Sequence, residues 1–158
     1  MNTHFFEWLQ ASPLAVMVSE DWFPYVESLH VLCMAVVAGT ILIVDTRLIG
    51  ATSRQLRFSY ISDRLLPWTW GAFICSAITG GLMFMANATA YIHNTPFLVK
   101  MCLLVLAGIN MLYFQLVTFR TVGNWDAGRP SQAARLAGLA SITLWIGVIG
   151  FARWTGFV

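Results

Sequence analysis

Four apolar segments of this chain are long enough to cross the hydrocarbon core of a bilayer, which takes roughly 20 helical residues. Soluble domains carry about 25% charged residues, whereas this chain carries 10% and is 58% hydrophobic. We therefore predict an all-α integral membrane protein, with one membrane domain over 1–158 built as a four-helix transmembrane bundle. The predicted spans are 24–49, 66–88, 96–119 and 132–152.

The prolines and the N-terminal residues refine this prediction. Pro67 and Pro96 stand at the start of the second and third spans, where a first helical turn tolerates proline. Before the first span, residues 1–22 mix aromatic and polar side chains, and Ser12 followed by Pro13 predicts the cap and first residue of a short helix. We expect 1–22 to lie on the outer surface of the membrane.

The basic residues indicate how the helices are oriented. The N-terminal stretch and the loop between the second and third spans contain no Lys or Arg. Cytoplasmic loops carry the Lys and Arg excess, so both termini are expected to be periplasmic, in the inner membrane of a bacterium. Seven of the nine basic residues follow this rule, namely Arg47, Arg54, Arg57, Arg64, Arg120, Arg129 and Arg135.

Three ionisable residues of the first span fall on one face of the helix. At about 100° per residue, Glu27 and Asp45 share one direction and His30 lies about 60° from both. Ionisable groups in a span are costly, so this face is expected to look into the bundle. We expect Asp45 to meet an arginine of a loop.

Lys100 enters the third span at a depth similar to that of Glu27. An ion pair between the two would satisfy both charges. The alternative is that each side chain extends to the outer headgroups.

His30 is the one histidine inside a predicted span and the leading candidate for a ligand-binding residue. It is either an axial ligand of haem held between helices or a buried neutral histidine bonded to a hydroxyl. His93, in the outer loop, is the first choice for a second axial ligand, and Met83 and Met85 are the others. His93 is alternatively a solvated loop residue.

Small and polar residues of the other spans fit either reading of His30. Gly80 and Gly81 in the second span, like Gly147 and Gly150 in the fourth, allow close helix packing or make room for a macrocycle. Arg153 could pair with a haem propionate or a lipid phosphate. Asn110 is expected to hydrogen-bond between helices.

The stretches YVESLHVLCMAVVAGTILIVDTRLIG, LLPWTWGAFICSAITGGLMFMANA and NTPFLVKMCLLVLAGIN resemble an uncharacterised family of bacterial four-helix inner-membrane proteins. The likeness covers about 22–110. That family is distantly similar to the copper-resistance-D-like membrane proteins and to the four-helix membrane protoporphyrinogen oxidase of bacteria. Those groups carry a histidine early in the first span and a lysine opening the third, which His30 and Lys100 match.

The resemblance implies a b-type haem site or copper handling. The oxidase has a histidine late in its third span where this chain has Asn110, which argues against the oxidase chemistry itself.

The sequence thus predicts a small subunit that binds haem b and transfers electrons between a periplasmic redox partner and the membrane quinone pool. His30 and His93 would ligate the iron, Lys100 and Arg153 would neutralise propionates, and Glu27 would orient one of them. The alternatives are a cofactor-free membrane anchor or assembly subunit of a larger complex, and copper transport or resistance. Membrane lipid and a periplasmic partner subunit are the expected partners, and the net charge of +2 gives no indication of nucleic acid.

Overall fold

The computed structural model describes residues 3–52, 56–126 and 128–157, so the predicted loop residue Arg54 lies outside the described part of the chain. Four helices are long and apolar enough to cross a membrane, which confirms the predicted all-α bundle and fits a multi-pass membrane protein. The helices are α1 His4–Gln10, α2 Pro13–Met17, α3 Phe23–Leu48, α4 Phe58–Ala86, α5 Ala88–Tyr91, α6 Thr95–Tyr113 and α7 Gln132–Thr155. A π-helical turn, Val18–Trp22, joins α2 to α3, and Phe114–Thr118 and Phe119–Asn124 continue α6 as π and 3-10 turns.

The first span is longer than predicted. The Ser12 hydroxyl caps α2 by accepting a hydrogen bond from the Ala15 amide at 3.3 Å, as expected. The helix then continues without a break over Pro13–Leu48, so the short helix that begins after Ser12 runs directly into the first span. The placement of 1–22 on the outer surface of the membrane stays a prediction. Nothing between Ser12 and the span stops the helix, because the π-helical turn before Pro24 accommodates the missing amide of that proline.

The second span also begins earlier than predicted, at Phe58 rather than residue 66. Its first turns carry Ser59, Asp63 and Arg64. These polar residues lower the local hydropathy, so hydropathy does not indicate where the helix begins. Pro67 therefore lies inside α4 and not in its first turn. The other long helices have side-chain caps: Asn94 accepts from the Phe97 amide at 2.9 Å and Ser131 accepts from the Ala134 amide at 3.2 Å.

The long helices form two packed hairpins. In these, α4 packs on α3 and α6 packs on α7, and the hairpins meet where α3 packs on α7. The backbones of α4 and α6 pack little against each other, so these two helices form the open side of the bundle. The predicted hydrogen bond of Asn110 is confirmed, because its amide donates from α6 to the Ala137 carbonyl of α7 at 3.0 Å.

The bundle has two ends with different packing. The end that holds the α3–α4 and α6–α7 connections is called the arginine end, after Arg47. The end that holds α1, α5 and the first turns of α3 and α6 is called the histidine end, after His30. The largest buried apolar cluster lies at the arginine end and consists of Leu48, Phe58, Phe114, Trp125, Ala134 and Ala137.

Candidate functional site

His30 is held against α4 by contacts of one ring nitrogen, of which the longest is 3.5 Å to the Ser76 hydroxyl. Its Nδ1 lies 3.0 Å from the Ser76 carbonyl oxygen and 3.0 Å from the Thr79 hydroxyl. Ser76 and Thr79 are both buried, one turn apart on the face of α4 that packs on α3. His30 therefore connects the first two spans, and its partners are fixed by the α4 backbone.

These contacts determine which nitrogen of the ring carries the proton. The Ser76 carbonyl can only accept, so Nδ1 must donate to it. The Thr79 hydroxyl donates to the Cys75 carbonyl at 2.9 Å, so it too accepts from Nδ1. In the neutral imidazole, Nε2 then has the free lone pair.

Gly80 makes room for the ring. A Cβ atom at this position would lie 3.0 Å from His30 Cε1 and 4.0 Å from Nε2. The two adjacent glycines of the second span differ in this respect. A Cβ at Gly81 would meet nothing within 4 Å. Only the first glycine is required by the packing of His30.

The predicted ion pair between Glu27 and Lys100 is wrong for the residues that the structure describes. Both side chains lie within electrostatic range of His30. Glu27 is exposed, however, and the Lys100 ammonium lies 4.6 Å from the centre of the Phe97 ring. Glu27 is therefore exposed, although its predicted direction faced the interior of the bundle.

Aromatic side chains surround Lys100 at the histidine end. Phe97 stacks on Phe84 at 5.7 Å and lies 4.9 Å from the Tyr91 ring, between centroids. Burial and the nearby Glu27 carboxylate raise the pKa of Tyr91, so its hydroxyl stays protonated across the neutral range. The site therefore combines a histidine with a free nitrogen, one cation, one carboxylate and an aromatic wall.

Two further predicted site residues have no contact with this group. His93 is exposed after α5, and its ring forms no hydrogen bond or ion pair within 3–52, 56–126 and 128–157. Arg153 is exposed in the last turn of α7, where its guanidinium lies 5.2 Å from the centre of the Phe157 ring. Their predicted roles as second axial ligand and propionate partner stay predictions.

The first turn of α4 and the loops at the arginine end are joined by a side chain that sequence reasoning left without a role. Arg47 is fully buried. Its Nε donates to the Leu56 carbonyl at 3.1 Å, and its Nη2 donates to the carbonyls of Asp126 and Gly128 at 3.1 and 3.5 Å. Nη1 has no partner among the described residues. Arg47 thus fastens the α3–α4 connection to the α6–α7 connection.

Asp126 completes this network by capping α4. Its carboxylate accepts from the Ser59 amide and the Ser59 hydroxyl, each at 2.8 Å. The bond from the Ser59 amide is the main cause that holds the pKa of Asp126 below its ordinary value of 3.8, and Arg57 and Arg47 lower it further. No sequence pattern pointed to this cap, because Asp126 and Ser59 are far apart along the chain.

No described arginine pairs with Asp45, and the predicted loop residue Arg54 lies outside the described part of the chain. Asp45 is 5% exposed and forms no ion pair with a described residue, because Arg47 uses its nitrogens on loop carbonyls instead. Ser141 of α7 lies near the carboxyl, whereas Oδ2 has no hydrogen-bond partner in the described chain. The expectation that this face looks inward holds for Asp45 and for the half-buried His30.

No group of three or more His, Cys, Asp or Glu side chains converges in the described ranges in a way that could hold a bare metal ion. What the histidine end offers is a single oriented imidazole.

Comparison with known proteins gives one result. The family of unknown function DUF6644 matches residues 5–158, nearly the whole chain. No curated protein and no solved structure matches. The resemblance to an uncharacterised family is therefore supported, whereas the distant similarity to copper-resistance-D-like proteins and to the membrane protoporphyrinogen oxidase has no support.

Proposed function

We propose that this chain, which belongs to the DUF6644 family, is a small membrane subunit that binds b-type haem through His30 and passes electrons between a redox partner and the quinone pool. The observation that carries the proposal is the hydrogen bond from His30 Nδ1 to the Ser76 carbonyl. Histidines that ligate metals almost always donate their other ring N–H to a carboxylate, a backbone carbonyl or water.

The residues at the histidine end fit an axial ligand of this kind. The proton on Nδ1 leaves Nε2 with its lone pair, and no described side chain or carbonyl hydrogen-bonds to Nε2. Gly80 lets the ring lie directly against α4, which fixes its orientation. Haem bound there would supply one-electron chemistry, which none of the nearby side chains can supply alone.

The charged neighbours have roles that follow from their positions. Lys100 has no carboxylate partner among the described residues, so its ammonium is available to a propionate. Glu27 lies within electrostatic range of His30 and of Tyr91, where it would orient the charge of a bound ligand. We keep His93 as the proposed second ligand and Arg153 as a second propionate partner.

The orientation of the bundle belongs to the same proposal. The arginine end gathers the connections that hold Arg47, Arg57 and Arg129, so the positive-inside rule places it in the cytoplasm and both termini in the periplasm. In the inner membrane of a bacterium, the haem would then face a periplasmic partner.

A second candidate is a cofactor-free anchor, and one observation favours it. His30 Nδ1 already has two partners on α4, which is sufficient for a histidine that only joins two helices. Large apolar side chains are exposed on all four long helices and would accept lipid or a partner helix equally well.

The test is the absorption spectrum of the purified full chain, oxidised and then reduced with dithionite, with iron measured in the same sample. Our proposal predicts a Soret band, sharp reduced α and β bands, and about one iron per chain.

A matched pair of variants locates the ligand. Gly80→Val should displace the His30 ring and lower haem retention, whereas Gly81→Val should leave it unchanged, because only Gly80 touches the ring. Equal haem content in the two variants would contradict the assignment of His30, and a colourless, iron-free protein would favour the anchor.

A further inference from the structure

A groove of about 760 Å³ runs along the arginine half of the bundle and is lined by all four long helices. It lies on the open side, where the backbones of α4 and α6 pack little against each other. The exposed side chains of Asp63 and Phe73 on α4, and of Leu112 on α6, are among those that line it. In a bundle that crosses a membrane, this groove opens sideways to the lipid.

The groove is lined mostly by apolar side chains, with polar ones among them. Aromatic side chains such as Phe58, Trp70 and Trp145 form much of its wall. Asp45, Ser62 and Ser141 form a polar patch within it. Its lining includes no Lys or Arg in the described chain, so the phosphate of a phospholipid headgroup would meet carboxyls without a cation.

Asp45 is the second observation that points to a ligand. The side chain is 5% exposed, yet its Oδ2 has no hydrogen-bond partner among the described residues. A buried polar atom without a partner is costly, and more so inside a membrane. A ligand that donates a hydrogen bond to Oδ2 would remove this cost.

We propose that the groove binds one molecule of a lipid-soluble quinol, with its hydroxyl donating to Asp45 and its chain lying along the apolar wall. The volume falls in the range of about 300–1,000 Å³ typical of small-molecule sites. A quinol has the required combination of a small, uncharged, hydrogen-bond-donating head and an apolar tail. The Ser62 and Ser141 hydroxyls supply further partners for the ring substituents.

This site is separate from the haem proposed at His30. Along α3, His30 and Asp45 are about 22 Å apart at about 1.5 Å per residue. The proposed function includes the quinone pool as electron partner, but the groove and the free Oδ2 involve residues other than those proposed to hold haem. The binding test below does not depend on haem.

The experiment uses the full-length chain in liposomes and the lipid-soluble reagent dicyclohexylcarbodiimide, which modifies carboxyls that it reaches from the membrane. Labelling of Asp45 is measured by peptide mass spectrometry, without oxygen, with and without decylubiquinol. The matched control ligand is the di-O-methyl ether of decylubiquinol, which keeps the ring and tail and lacks both donors. We expect decylubiquinol to slow the labelling of Asp45 and the ether to be at least about tenfold weaker, because a site built around donors rejects an analogue that lacks them.

Two glycine variants test where the quinol binds. Gly108 lines the groove, whereas Gly71 does not, and a Cβ at either position would meet nothing within 4 Å. Gly108→Phe should weaken protection by decylubiquinol at least about tenfold, and Gly71→Phe should leave it unchanged.

The proposal is overturned if Asp45 is not labelled without ligand, since membrane-soluble molecules would then not reach it. The proposal is also overturned if decylubiquinol does not slow the labelling of Asp45. Equal protection by the ether would contradict the proposed hydrogen bond to Asp45, since the ether has no donor. Stronger protection by dodecylamine than by the quinol would assign the site to a lipophilic cation instead.

Discussion

The two ends of the bundle differ in how their ionisable side chains are buried and hydrogen-bonded. At the arginine end, Arg47 is fully buried and donates to three loop carbonyls, and Asp126 caps α4. At the histidine end, Glu27 is exposed and Lys100 lies over an aromatic ring without a carboxylate partner in the described chain. The sequence predicted an ion pair between Glu27 and Lys100, and it gave no indication of the bonds made by Arg47 and Asp126.

This difference separates structural charges from charges that are available to ligands. Backbone carbonyls hold Arg47 in one position, so it stabilises the connections and has little left to offer a ligand. His30 donates from Nδ1 to a neighbouring helix and keeps Nε2 free, and the buried Asp45 keeps Oδ2 free. The free atoms, rather than the charges, mark the two proposed sites.

The largest effect on stability is expected from Arg47→Met. Removing the guanidinium leaves the Leu56 carbonyl without its side-chain donor, whereas the Asp126 carbonyl keeps the Phe58 amide as a donor. At about 1.5–3 kcal/mol for each hydrogen bond to a charged group, losing the bonds of Nε and Nη2 should cost about 3–5 kcal/mol in all. Unfolding in detergent, followed by circular dichroism, measures the loss. Arg120→Met is the matched control, because Arg120 is exposed, and it should stay within about 0.5 kcal/mol of the wild type. Equal losses would end the contrast between buried and exposed arginines.

A close helix contact at the arginine end is tested by Gly138→Ala. The added Cβ would lie 3.0 Å from Leu48 Cβ and 3.2 Å from the Asp45 carbonyl oxygen, which cannot move aside easily. We expect a loss of about 1–3 kcal/mol in the free energy of unfolding. Gly39→Ala meets nothing within 4 Å and should be neutral or slightly stabilising, since alanine favours helix over glycine. A neutral Gly138→Ala would show that α3 and α7 can separate without cost.

The cap on α4 should give a smaller, pH-dependent effect. Asp126→Ala removes the acceptor of the Ser59 amide and should cost about 0.5–2 kcal/mol at neutral pH. The pKa of Asp126 is lower in the folded state than its ordinary 3.8, so its contribution is complete above that value and is lost as the pH falls through the folded pKa. The stabilities of wild type and variant should therefore converge in acid. A difference that persists at low pH would show that the carboxylate is not the stabilising species.

The smallest effect is expected for Thr79→Val at the histidine end. The change removes one of the two acceptors of His30 Nδ1 and leaves the Ser76 carbonyl, so about 0.5–1.5 kcal/mol should be lost. Thr143→Val is the control, because the exposed Thr143 hydroxyl bonds only within its own helix, to the Leu139 carbonyl. If both variants lose the same amount, the bond between Thr79 and His30 contributes nothing.

Hydropathy predicted the features that follow from burial in lipid. It did not predict the directions of side chains or their hydrogen bonds to backbone groups far away along the chain. The four spans and the hydrogen bond of Asn110 were predicted correctly, because a long apolar run and a polar residue inside it have few alternatives in a membrane. The start of α4 was misplaced because its first turns are polar and lie among loops. The ion pair between Glu27 and Lys100 was not found because sequence gives the depth of a residue but not the direction that its side chain takes.

The partners of Arg47 were beyond sequence reasoning for a third reason. They are carbonyl groups, which every residue has, and two of them belong to a loop about 80 positions away along the chain. Likewise, periodicity placed His30 on an inward face, but only the structure identifies Nδ1 as its bonded atom. The proposed haem stays a prediction.

The most direct test of the account measures haem per chain in the wild type, His30→Ala and Asp45→Asn, purified side by side in the same detergent. The two variants remove one functional group from each half of the same helix. We predict about one haem per chain in the wild type and in Asp45→Asn, and none in His30→Ala. Haem at the wild-type level in His30→Ala, or a wild-type protein without haem, would contradict the proposal that the histidine end binds the cofactor.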